Sequence, residues 1–534
     1  MRTVDTEVLV IGGGATGAGV LRDAAMRGFQ AVLVERSDLA MGTTGRFHGL
    51  LHSGARYAVK DPRSAAECMD ENRILKRIAA DCIEDTGGLF VSTPLDDPDY
   101  PDRFKRGCEA AGIPVEEIPV GEALQHEPRL NPAISRAFTV PDAAVDAWKT
   151  VWGCVRSAQD YGARLFHYHR VFGILKEGDD VVGATAMDLR SGDEVVFRAR
   201  FTINAAGAWA AELAAMAGCT GITILPGKGI MIAMNHRLVN TVVNRCQMPT
   251  DGDILVPIRT VSVIGTTDVQ VSHPDELPVT QDEVDAMLED GEVLVPGFKQ
   301  ARALRVWAGV RPLFKDGKKD VASTRDVSRS HALLDHRARD GVHSFLTITG
   351  GKFTTFRRMA EDTVDAMCAQ LEDRRTCRTH GETLPDSEDR KTYWLGARLA
   401  RREQDLHGDQ LVCECELISR TRLEGAIVQR QTADLDDIRR TLRLGMGPCQ
   451  GGFCIYRAAG IMHALQDLDA ERAGRALHDF LRERWKGVAP ILYGDQLRQA
   501  RLDDWIFQGL LDVEHLPARR AQPLRARSPE PQAP

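Results

Sequence analysis

A glycine-rich run near the N-terminus, Gly12-Gly-Gly14-Ala-Thr-Gly17, constrains the fold more than any other feature of the chain. The surrounding pattern predicts a buried strand over Thr6 to Ile11, a helix over Ala18 to Arg27 and a second strand over Ala31 to Glu35. Glycines let the backbone approach a pyrophosphate, and the helix N-terminus offers it N–H groups and partial positive charge. Because Glu35 stands where an acid binds ribose hydroxyls, the run predicts a dinucleotide-binding β-α-β unit.

Two later segments also place small residues at the end of a predicted strand. Thr202 to Trp209 is a strand that ends in alanine and glycine, and Leu346 to Phe356 is a strand that enters a helix whose first turn carries Lys352. Either segment alone is typical of an ordinary tight turn. Together with the first run they predict three glycine-edged loops that converge on one long cofactor, and FAD is long enough to contact all three.

Four cysteines cluster near the C-terminus, in the pattern C-x-C, 33 residues, C-x4-C. They are Cys413 and Cys415, then Cys449 and Cys454 within a glycine-rich stretch whose N–H groups could point at sulfur. This spacing favours an iron-sulfur cluster and differs from a zinc ribbon with two C-x2-C pairs, although structural zinc and unliganded thiols remain alternatives. Because a cluster carries single electrons and a nicotinamide carries hydride, the two motifs together favour FAD over NAD.

Length and composition restrict the class of protein. A chain of 534 residues is long enough for roughly three or four domains. A net charge of -8 does not indicate a nucleic-acid partner. The first residues do not resemble a signal peptide, and no apolar run has the length of a membrane span. The other eight cysteines are scattered, as expected of reduced thiols. These features predict a cytoplasmic or peripherally attached protein.

Composition also suggests where the domains end. We expect mixed α/β sequence over residues 1–370, divided into interleaved cofactor-binding and substrate-binding subdomains, then a linker and connecting helix over 371–408. The cysteine module is expected over 409–462 and a helical region over 463–520. Residues 521–534 are rich in proline and polar residues, which predicts a disordered tail.

Several of these segments resemble FAD-dependent glycerol-3-phosphate dehydrogenases. Val34 to Tyr57 is similar to the flavin segment of that family, and Ala308 to Leu313, Ser323 to Asp326 and Gly350 to Lys352 resemble its later motifs. The cysteine module resembles the bacterioferritin-associated-ferredoxin-like 2Fe-2S domain that ends the A subunits of the anaerobic enzymes. The resemblance includes Glu483-Arg-Trp-Lys-Gly-Val and covers all of the chain except the extreme C-terminal tail.

The resemblance implies an α/β fold in which an FAD-binding, Rossmann-like domain of the glutathione-reductase/D-amino-acid-oxidase type carries an antiparallel-sheet substrate domain. A small helical 2Fe-2S domain and C-terminal helices would follow. The implied cofactors are FAD and a 2Fe-2S cluster held by the four clustered cysteines. The implied FAD-binding residues are Gly12, Gly14, Ala15, Thr16, Gly17, Glu35, Arg36, Thr43, Thr44, Gly45, His52, Ala206, Gly207, Gly351, Lys352 and Thr354.

The implied reaction is oxidation of sn-glycerol 3-phosphate to dihydroxyacetone phosphate, with hydride transfer to the flavin. By analogy Arg311 and Arg325 would bind the phosphate, with Arg56, Tyr57 and Lys352 near the substrate's polar end. We also expect Arg56 to take part in catalysis, and we expect the base to be either Lys352 or His52.

One position departs from the family's pattern. In related single-subunit enzymes a histidine follows the pair that corresponds to Lys228-Gly229, whereas Ile230 and Met231 follow it here. A role for that histidine therefore does not carry over.

The resemblance also implies partners. Electrons would pass from the cluster to a second flavoprotein component, the B subunit, and to an iron-sulfur, membrane-anchoring component, the C subunit, and then to the quinone pool. Such a chain would lie on the inner face of the cell membrane through these partners. Two other functions remain open from the residues alone: an FAD and iron-sulfur component of a complex that oxidises an amine, opine or amino acid, and a non-catalytic electron-transfer scaffold.

Overall fold

The structure is a computed structural model that describes residues 2–315, 330–404 and 408–517. Two compact units make up the chain. The first comprises Met1–Gly408 and Lys486–Gln499, and the second comprises Asp409–Trp485 and Ala500–Pro534. Two sequence predictions, the phosphate-binding role of Arg325 and the tail over 521–534, lie outside the described residues.

The strands of the first unit are, in chain order, β1 (Arg2–Ile11), β2 (Ala31–Val34), β3 (Leu50–Leu51), β4 (Ile83–Glu84), β5 (Gly88–Ser92), β6 (Glu116–Ile118), β7 (Arg136–Val140), β8 (Ala143–Val145), β9 (Arg164–Phe166), β10 (His169–Glu177), β11 (Asp180–Asp188), β12 (Glu194–Asn204), β13 (Thr223–Met234), β14 (Val242–Arg245), β15 (Ile254–Ile258), β16 (Val261–Gly265), β17 (Val269–Gln270), β18 (Ala303–Lys315), β19 (His331–Asp335) and β20 (Phe345–Gly350). The second unit contains β21 (Leu411–Cys413) and β22 (Ile418–Ser419).

The α-helices are α1 (Ala15–Met26), α2 (Pro62–Ile78), α3 (Tyr100–Ala110), α4 (Val120–His126), α5 (Ala147–Asp160), α6 (Ala210–Met216), α7 (Gln281–Leu294), α8 (His336–Asp340), α9 (Phe356–Gln370), α10 (Leu395–Gln404), α11 (Arg420–Arg430), α12 (Leu435–Leu442), α13 (Cys454–Gln466), α14 (Ala470–Val488) and α15 (Leu497–Asp503). A π-helical turn, Asp504–Leu510, continues α15.

The first sheet has a parallel centre. Strand β1 lies between β12 and β2, β9 follows β2, and β20 joins the other side of β12, all in parallel pairs. All four residues of β2 are buried, as expected of a parallel strand that is covered on both faces. Helix α1 packs against α9, where a Cβ on Gly19 would lie 3.0 Å from that of Ala360. This close packing holds the first glycine turn against the sheet.

The second sheet is mostly antiparallel and has the order β17-β13-β16-β15-β14-β5-β7-β6, with β18 also paired to β13. The long pair β13–β18 carries Gly227 opposite Arg311. Helix α7 covers this sheet with Val284, Met287 and Leu288, which belong to the same apolar core as Ile230. The predicted α/β architecture with an antiparallel-sheet domain is confirmed, and strand β18 of this sheet carries Arg311.

Two helix boundaries differ from the sequence prediction. Helix α1 begins at Ala15 and not at Ala18, because Gly14 is extended and supplies the N-cap. Lys352 precedes a 3-10 turn, Phe353–Thr355, and does not lie in a helical turn. The cause is a left-handed backbone at both Gly350 (φ 78°) and Gly351 (φ 69°), which delays the helix until Phe356.

The segment between α9 and α10, which was predicted as a linker, packs against the helices of the first unit, to which it belongs. The buried Arg22 side chain donates to the carbonyl oxygens of Thr379 (3.3 Å) and Glu382 (2.8 Å). The Leu384 amide donates to the Ile78 carbonyl at 2.7 Å, and the Leu384 side chain is buried in the core around α1 and α5. These contacts attach residues 379–384 of the segment to α1 and α2.

The second unit is a small helical domain. Strands β21 and β22 form a short antiparallel pair, and α11, α12 and α13 pack around a core that includes Leu423, Ile438 and Ile455. Phe480 of α14 belongs to the same core. A Cβ on Gly451 would lie 2.8 Å from the Phe480 ring, so this glycine lets the cysteine-bearing loop lie close to α14.

A buried ion pair between α2 and α9 provides a test of the first unit's core. Arg357 donates to both carboxylate oxygens of Glu71, and each side chain is about 5% exposed. We expect Glu71→Gln to lower the free energy of unfolding by about 3 kcal/mol, because Arg357 would remain buried with reduced compensation. Denaturant unfolding followed by tryptophan fluorescence measures this loss.

The exposed pair between Arg136 and Glu117 provides the control. Glu117→Gln should cost less than about 1 kcal/mol, since solvent screens exposed charges. Equal losses in the two variants would contradict the assignment of the Glu71–Arg357 pair to the core.

Candidate functional site

A cavity of about 1100 Å³ opens in the first unit at the carboxyl ends of β1 and β2. Three of the predicted FAD-binding residues lie outside its lining: Gly17, Gly45 and Thr354. The predicted residues that do line it are Gly12, Gly14, Ala15, Thr16, Glu35, Arg36, Thr43, Thr44, His52, Arg56, Tyr57, Ala206, Gly207, Arg311, Gly351 and Lys352. The structure therefore brings residues from all three glycine-edged loops to one cavity.

Two glycines of the first run act through close packing. Gly12 has a φ of 114°, and a Cβ there would lie 2.5 Å from the carbonyl oxygen of Ala205. A Cβ on Gly17 would lie 1.9 Å from the carbonyl oxygen of Gly12. A side chain at Gly12 would force the turn away from the loop that follows β12, and a side chain at Gly17 would clash with the backbone of the turn itself. Gly17 thus shapes the cavity without lining it.

The N-terminus of α1 faces the cavity and suits a pyrophosphate. Gly14 at the N-cap provides no capping side chain, and the Ala15 amide donates to Thr44 Oγ1 at 3.0 Å. Glu35 accepts hydrogen bonds from the amides of Gly13 (2.6 Å) and Ser37 (2.9 Å). Burial raises the pKa of Glu35, and these two N–H groups oppose the rise. A helix N-terminus for the pyrophosphate and a carboxylate for the ribose together fit the dinucleotide part of FAD.

Three side chains from separate elements, which we term the rim clasp, contact one another in the wall of the cavity. They are Arg36, Trp209 and Asp275. The Arg36 guanidinium lies 4.1 Å from the Trp209 ring centroid, and its Nη2 lies 2.8 Å from Asp275 Oδ1. Trp209 Nε1 donates to Asp275 Oδ2 at 3.3 Å. Arg36 was predicted to bind the cofactor, and here its charge also joins two walls of the cavity.

At the other end of the cavity, cationic and aromatic side chains come together. Lys352 Nζ lies 4.7 Å from the Tyr57 ring centroid, and the His52 and Tyr57 rings are 5.4 Å apart. Arg56 Nη2 donates to both oxygens of Asp253, at 2.7 and 2.8 Å. Arg56 Nη1 is buried and has no hydrogen-bond partner among the residues that the structure describes. An unpaired buried N–H of this kind suits an anionic or hydroxyl-bearing ligand.

Sequence reasoning missed His48, which also lines this end of the cavity. Its ring lies 6.2 Å from that of His52. Burial, with help from Arg56 and Arg311, lowers the pKa of His48 to about 3. Burial, then His48, Arg56 and Lys352, holds the pKa of His52 well below its usual value. Both imidazoles are therefore neutral near pH 7, and the four-residue spacing of the two histidines was the signal available in the sequence.

Arg311 lines the cavity from strand β18. Its Nη1 donates to Asp268 Oδ1 at 3.1 Å, and its Nη2 donates to the Thr267 carbonyl oxygen at 2.9 Å and to the Thr266 hydroxyl. Ile230 and Met231, which replace the family's histidine, are 0% and 1% exposed. Both side chains belong to the apolar core, so this position carries no titratable group.

The four clustered cysteines lie together in the second unit as two pairs. The Cys415 and Cys449 sulfurs are 3.8 Å apart. Cys413 and Cys454 form the second pair, in which a hydrogen bond between the thiols, opposed by burial, lowers the pKa of Cys413. No three of these sulfurs all lie within 4.8 Å of one another. A single tetrahedral zinc would draw all four to about 4 Å separations, so two pairs suit a cluster with two irons better.

Backbone N–H groups surround the sulfurs as the glycine content predicted. A hydrogen bond from Cys415, then the amides of Gly451, Phe453 and Gly452, lower the pKa of Cys449 to about 6. The amides of Gly445 and Glu416 also contribute to the low pKa of Cys413. These groups favour the thiolates that a cluster requires.

Comparison with known proteins identifies both units. The FAD dependent oxidoreductase family model matches residues 7–366, and the BFD-like [2Fe-2S] binding domain model matches residues 411–464. The A subunit of anaerobic glycerol-3-phosphate dehydrogenase from Escherichia coli K12 is 43% identical over 538 residues, covering 96% of this chain and 99% of that protein. The chain belongs to this family of A subunits.

A second relative, the A subunit from Haemophilus influenzae, is 39% identical and covers 98% of this chain and 96% of its own length. An A1 subunit from Haloferax volcanii is 40% identical, and the match covers 96% of this chain and 91% of that protein. These relatives confirm the family that the motifs predicted. The two matched domain models confirm FAD and a 2Fe-2S cluster as the cofactors of such proteins, in preference to zinc or unliganded thiols.

Solved structures agree on the fold. Glycerol-3-phosphate dehydrogenase from Bacillus halodurans, complexed with FAD, gives a TM-score of 0.66 at 21% identity and covers 92% of this chain and 96% of that one. Glycine oxidase from Geobacillus kaustophilus gives 0.56 at 22% identity and covers 72% and 99%. The fold is therefore shared by enzymes with different substrates. Within the described part of this chain, no helix is both long and apolar enough to cross a membrane.

Loss of the rim clasp should weaken cofactor retention. Asp275→Ala removes the acceptor for both Arg36 and Trp209, and we expect FAD to dissociate about fivefold faster, since an exposed pair contributes up to about 1 kcal/mol. Flavin fluorescence after dilution measures the rate. Glu177→Gln, which breaks an exposed pair with Arg198, is the control and should leave the rate unchanged. Equal release from both variants and wild type would refute the clasp.

Loss of one cysteine of the set should prevent cluster assembly. We expect Cys454→Ser, purified without oxygen, to contain little iron or acid-labile sulfide, because one iron would lose a thiolate ligand. Cys377→Ser is the matched control, since Cys377 is a free cysteine of the first unit. Full iron and sulfide content in Cys454→Ser would show that Cys454 is not a ligand.

Proposed function

We propose that this chain oxidises sn-glycerol 3-phosphate to dihydroxyacetone phosphate as the catalytic component of a multi-subunit dehydrogenase. The observation that carries the proposal is a cavity lined by Arg56, Arg311 and Lys352, in a chain 43% identical to a protein named as the A subunit of anaerobic glycerol-3-phosphate dehydrogenase. Bound FAD would accept the hydride from C2 of the substrate and supply electrons to the 2Fe-2S cluster.

The phosphate would lie against Arg311. Guanidinium groups bind phosphate oxygens in fixed, paired geometry, and Arg311 is held in place by acceptors at residues 266–268. Arg56 would direct its unpaired Nη1 at the polar end of the substrate while Asp253 holds its Nη2. Such a site selects an anionic polyol over an apolar amine.

His52 would accept the proton of the C2 hydroxyl. Its low pKa keeps the imidazole neutral, so one ring nitrogen is unprotonated, and the negative charge of a bound phosphate would raise the proton affinity of that nitrogen. The Lys352 ammonium, held over the face of Tyr57, would lower the proton affinity of the same hydroxyl through its positive charge. This division gives His52 the base role and Lys352 the electrostatic role.

The cluster would carry electrons away from the flavin toward partner subunits. We propose a second flavoprotein, the B subunit, and an iron-sulfur, membrane-anchoring protein, the C subunit, as those partners, with the quinone pool as the final acceptor. The names of the related proteins support membership of a multi-subunit complex. In this arrangement the chain would lie at the inner face of the membrane through its partners.

Anaerobic titration of the holoprotein tests the proposal. We expect sn-glycerol 3-phosphate to bleach the flavin absorbance, while glycine and L-proline leave it unchanged. His52→Asn should slow this bleaching by about 10² to 10⁴, the usual contribution of a general base. Stopped-flow absorbance measures the rate.

His343→Asn is the control for the histidine variant, since His343 is about half exposed and does not line the cavity. Bleaching by an amino acid would support an amino-acid dehydrogenase instead. Absence of bleaching by any of the three compounds would support a non-catalytic electron carrier and overturn the proposal.

A further inference from the structure

A buried ion pair lies behind Arg311, one layer away from the cavity. Lys228, on β13, is 2% exposed, and its Nζ lies 2.8 Å from Glu283 Oε2 and 2.6 Å from the Pro278 carbonyl oxygen. Burial would raise the pKa of Glu283, but hydrogen bonds from Lys228, Thr280 and Thr267 outweigh it and hold the pKa below its usual value. Glu283 is therefore held as a carboxylate that accepts a close hydrogen bond from Lys228.

Thr267 connects this pair to the cavity wall. Its hydroxyl donates to Glu283 Oε1 at 3.1 Å and accepts from the Ile230 amide at 3.0 Å. Two bonds of opposite polarity fix the orientation of the hydroxyl and of the residue that carries it. The Thr267 carbonyl oxygen then faces Arg311 Nη2 at 2.9 Å.

Gly229 makes room for this arrangement. A Cβ at Gly229 would lie 2.5 Å from the Thr267 carbonyl oxygen and 2.9 Å from Arg311 Nη2. The Lys-Gly pair thus has two separate uses: Lys228 anchors Glu283, and Gly229 leaves space for the bond between Thr267 and Arg311. The same turn supplies the neighbouring acceptors of Arg311, Thr266 and Asp268.

We infer that Lys228 and Glu283 are positioning residues that act through Thr267 to aim Arg311 at the substrate's phosphate. The inference rests on the proposed function for the identity of the ligand. The two carboxylate oxygens of Glu283 bind different partners, Lys228 on one side and Thr267 on the other, so Glu283 joins the rigid β13–α7 packing to the Arg311 turn. Lys228 and Glu283 do not line the cavity, so their effect on the substrate would be indirect.

Thr267→Val tests the inference because valine keeps the volume of threonine and removes the hydroxyl. We expect KM for sn-glycerol 3-phosphate and the inhibition constant of inorganic phosphate both to rise about tenfold, with kcat nearly unchanged, as for loss of uniform binding. Thr267→Ser restores the hydroxyl and should return both constants to near the wild-type values. Glu283→Gln should shift both constants in the same direction as Thr267→Val.

A purely structural role predicts a different result. Glu71→Gln, which also weakens a buried ion pair of the first unit, should lower the unfolding temperature without changing KM or phosphate inhibition. Thr267→Val with the wild-type KM and phosphate inhibition constant would overturn the positioning role. Equal defects in Thr267→Ser and Thr267→Val would overturn it as well.

A second measurement separates this inference from the proposed function. Inorganic phosphate should raise the unfolding temperature of wild-type holoprotein, and Thr267→Val should lose most of that shift. If glycerol 3-phosphate fails to bleach the flavin but this difference appears, the proposed substrate is wrong and the positioning role stands. If phosphate raises the unfolding temperature of wild type and Thr267→Val equally, the positioning role is wrong.

Discussion

The close approach of the β1–α1 turn to the loop after β12 is the contact on which the remaining site depends. It requires hydrogen in place of a side chain at Gly12 and Gly17, because carbonyl oxygens occupy the space that a Cβ would need. The contact sets the N-terminus of α1, whose first N–H groups have no partner within the helix, at the edge of the parallel sheet. The rest of the cavity wall is added by elements that are far away in sequence.

The cavity combines two opposed electrostatic conditions. Arg56, Arg311 and Lys352 line one end of the cavity, and Asp253 and Asp268 hold the two arginines in fixed positions. The same positive charge, together with burial, keeps His48 and His52 neutral. A site of this kind can attract an anion while its imidazoles stay unprotonated, and the negative charge of the bound anion would offset the cations that lower their pKa values.

Redox chemistry is divided between two folded units. The first unit surrounds the flavin cavity, and the second holds two cysteine pairs beside a glycine-rich loop whose amides donate to Cys449. Cys413 and Cys454 are buried, whereas Cys415 and Cys449 are half-buried, so one side of the cluster site lies nearer to solvent. That asymmetry agrees with a role in which the cluster receives electrons from within the chain and delivers them to a partner.

Local patterns were enough to predict the β-α-β unit, the acid at Glu35 and the four cysteines, because strand period, glycine spacing and C-x-C spacing are short-range properties. They did not place α1 or Lys352 correctly, since backbone angles at Gly14, Gly350 and Gly351 decide those boundaries. They also missed the neutral His48, the Asp253–Arg56 pair and the Lys228–Glu283–Thr267 chain. Partners in these sets come from strands, helices and loops that are far apart in sequence, and only tertiary packing brings their side chains within bonding distance and sets their pKa values.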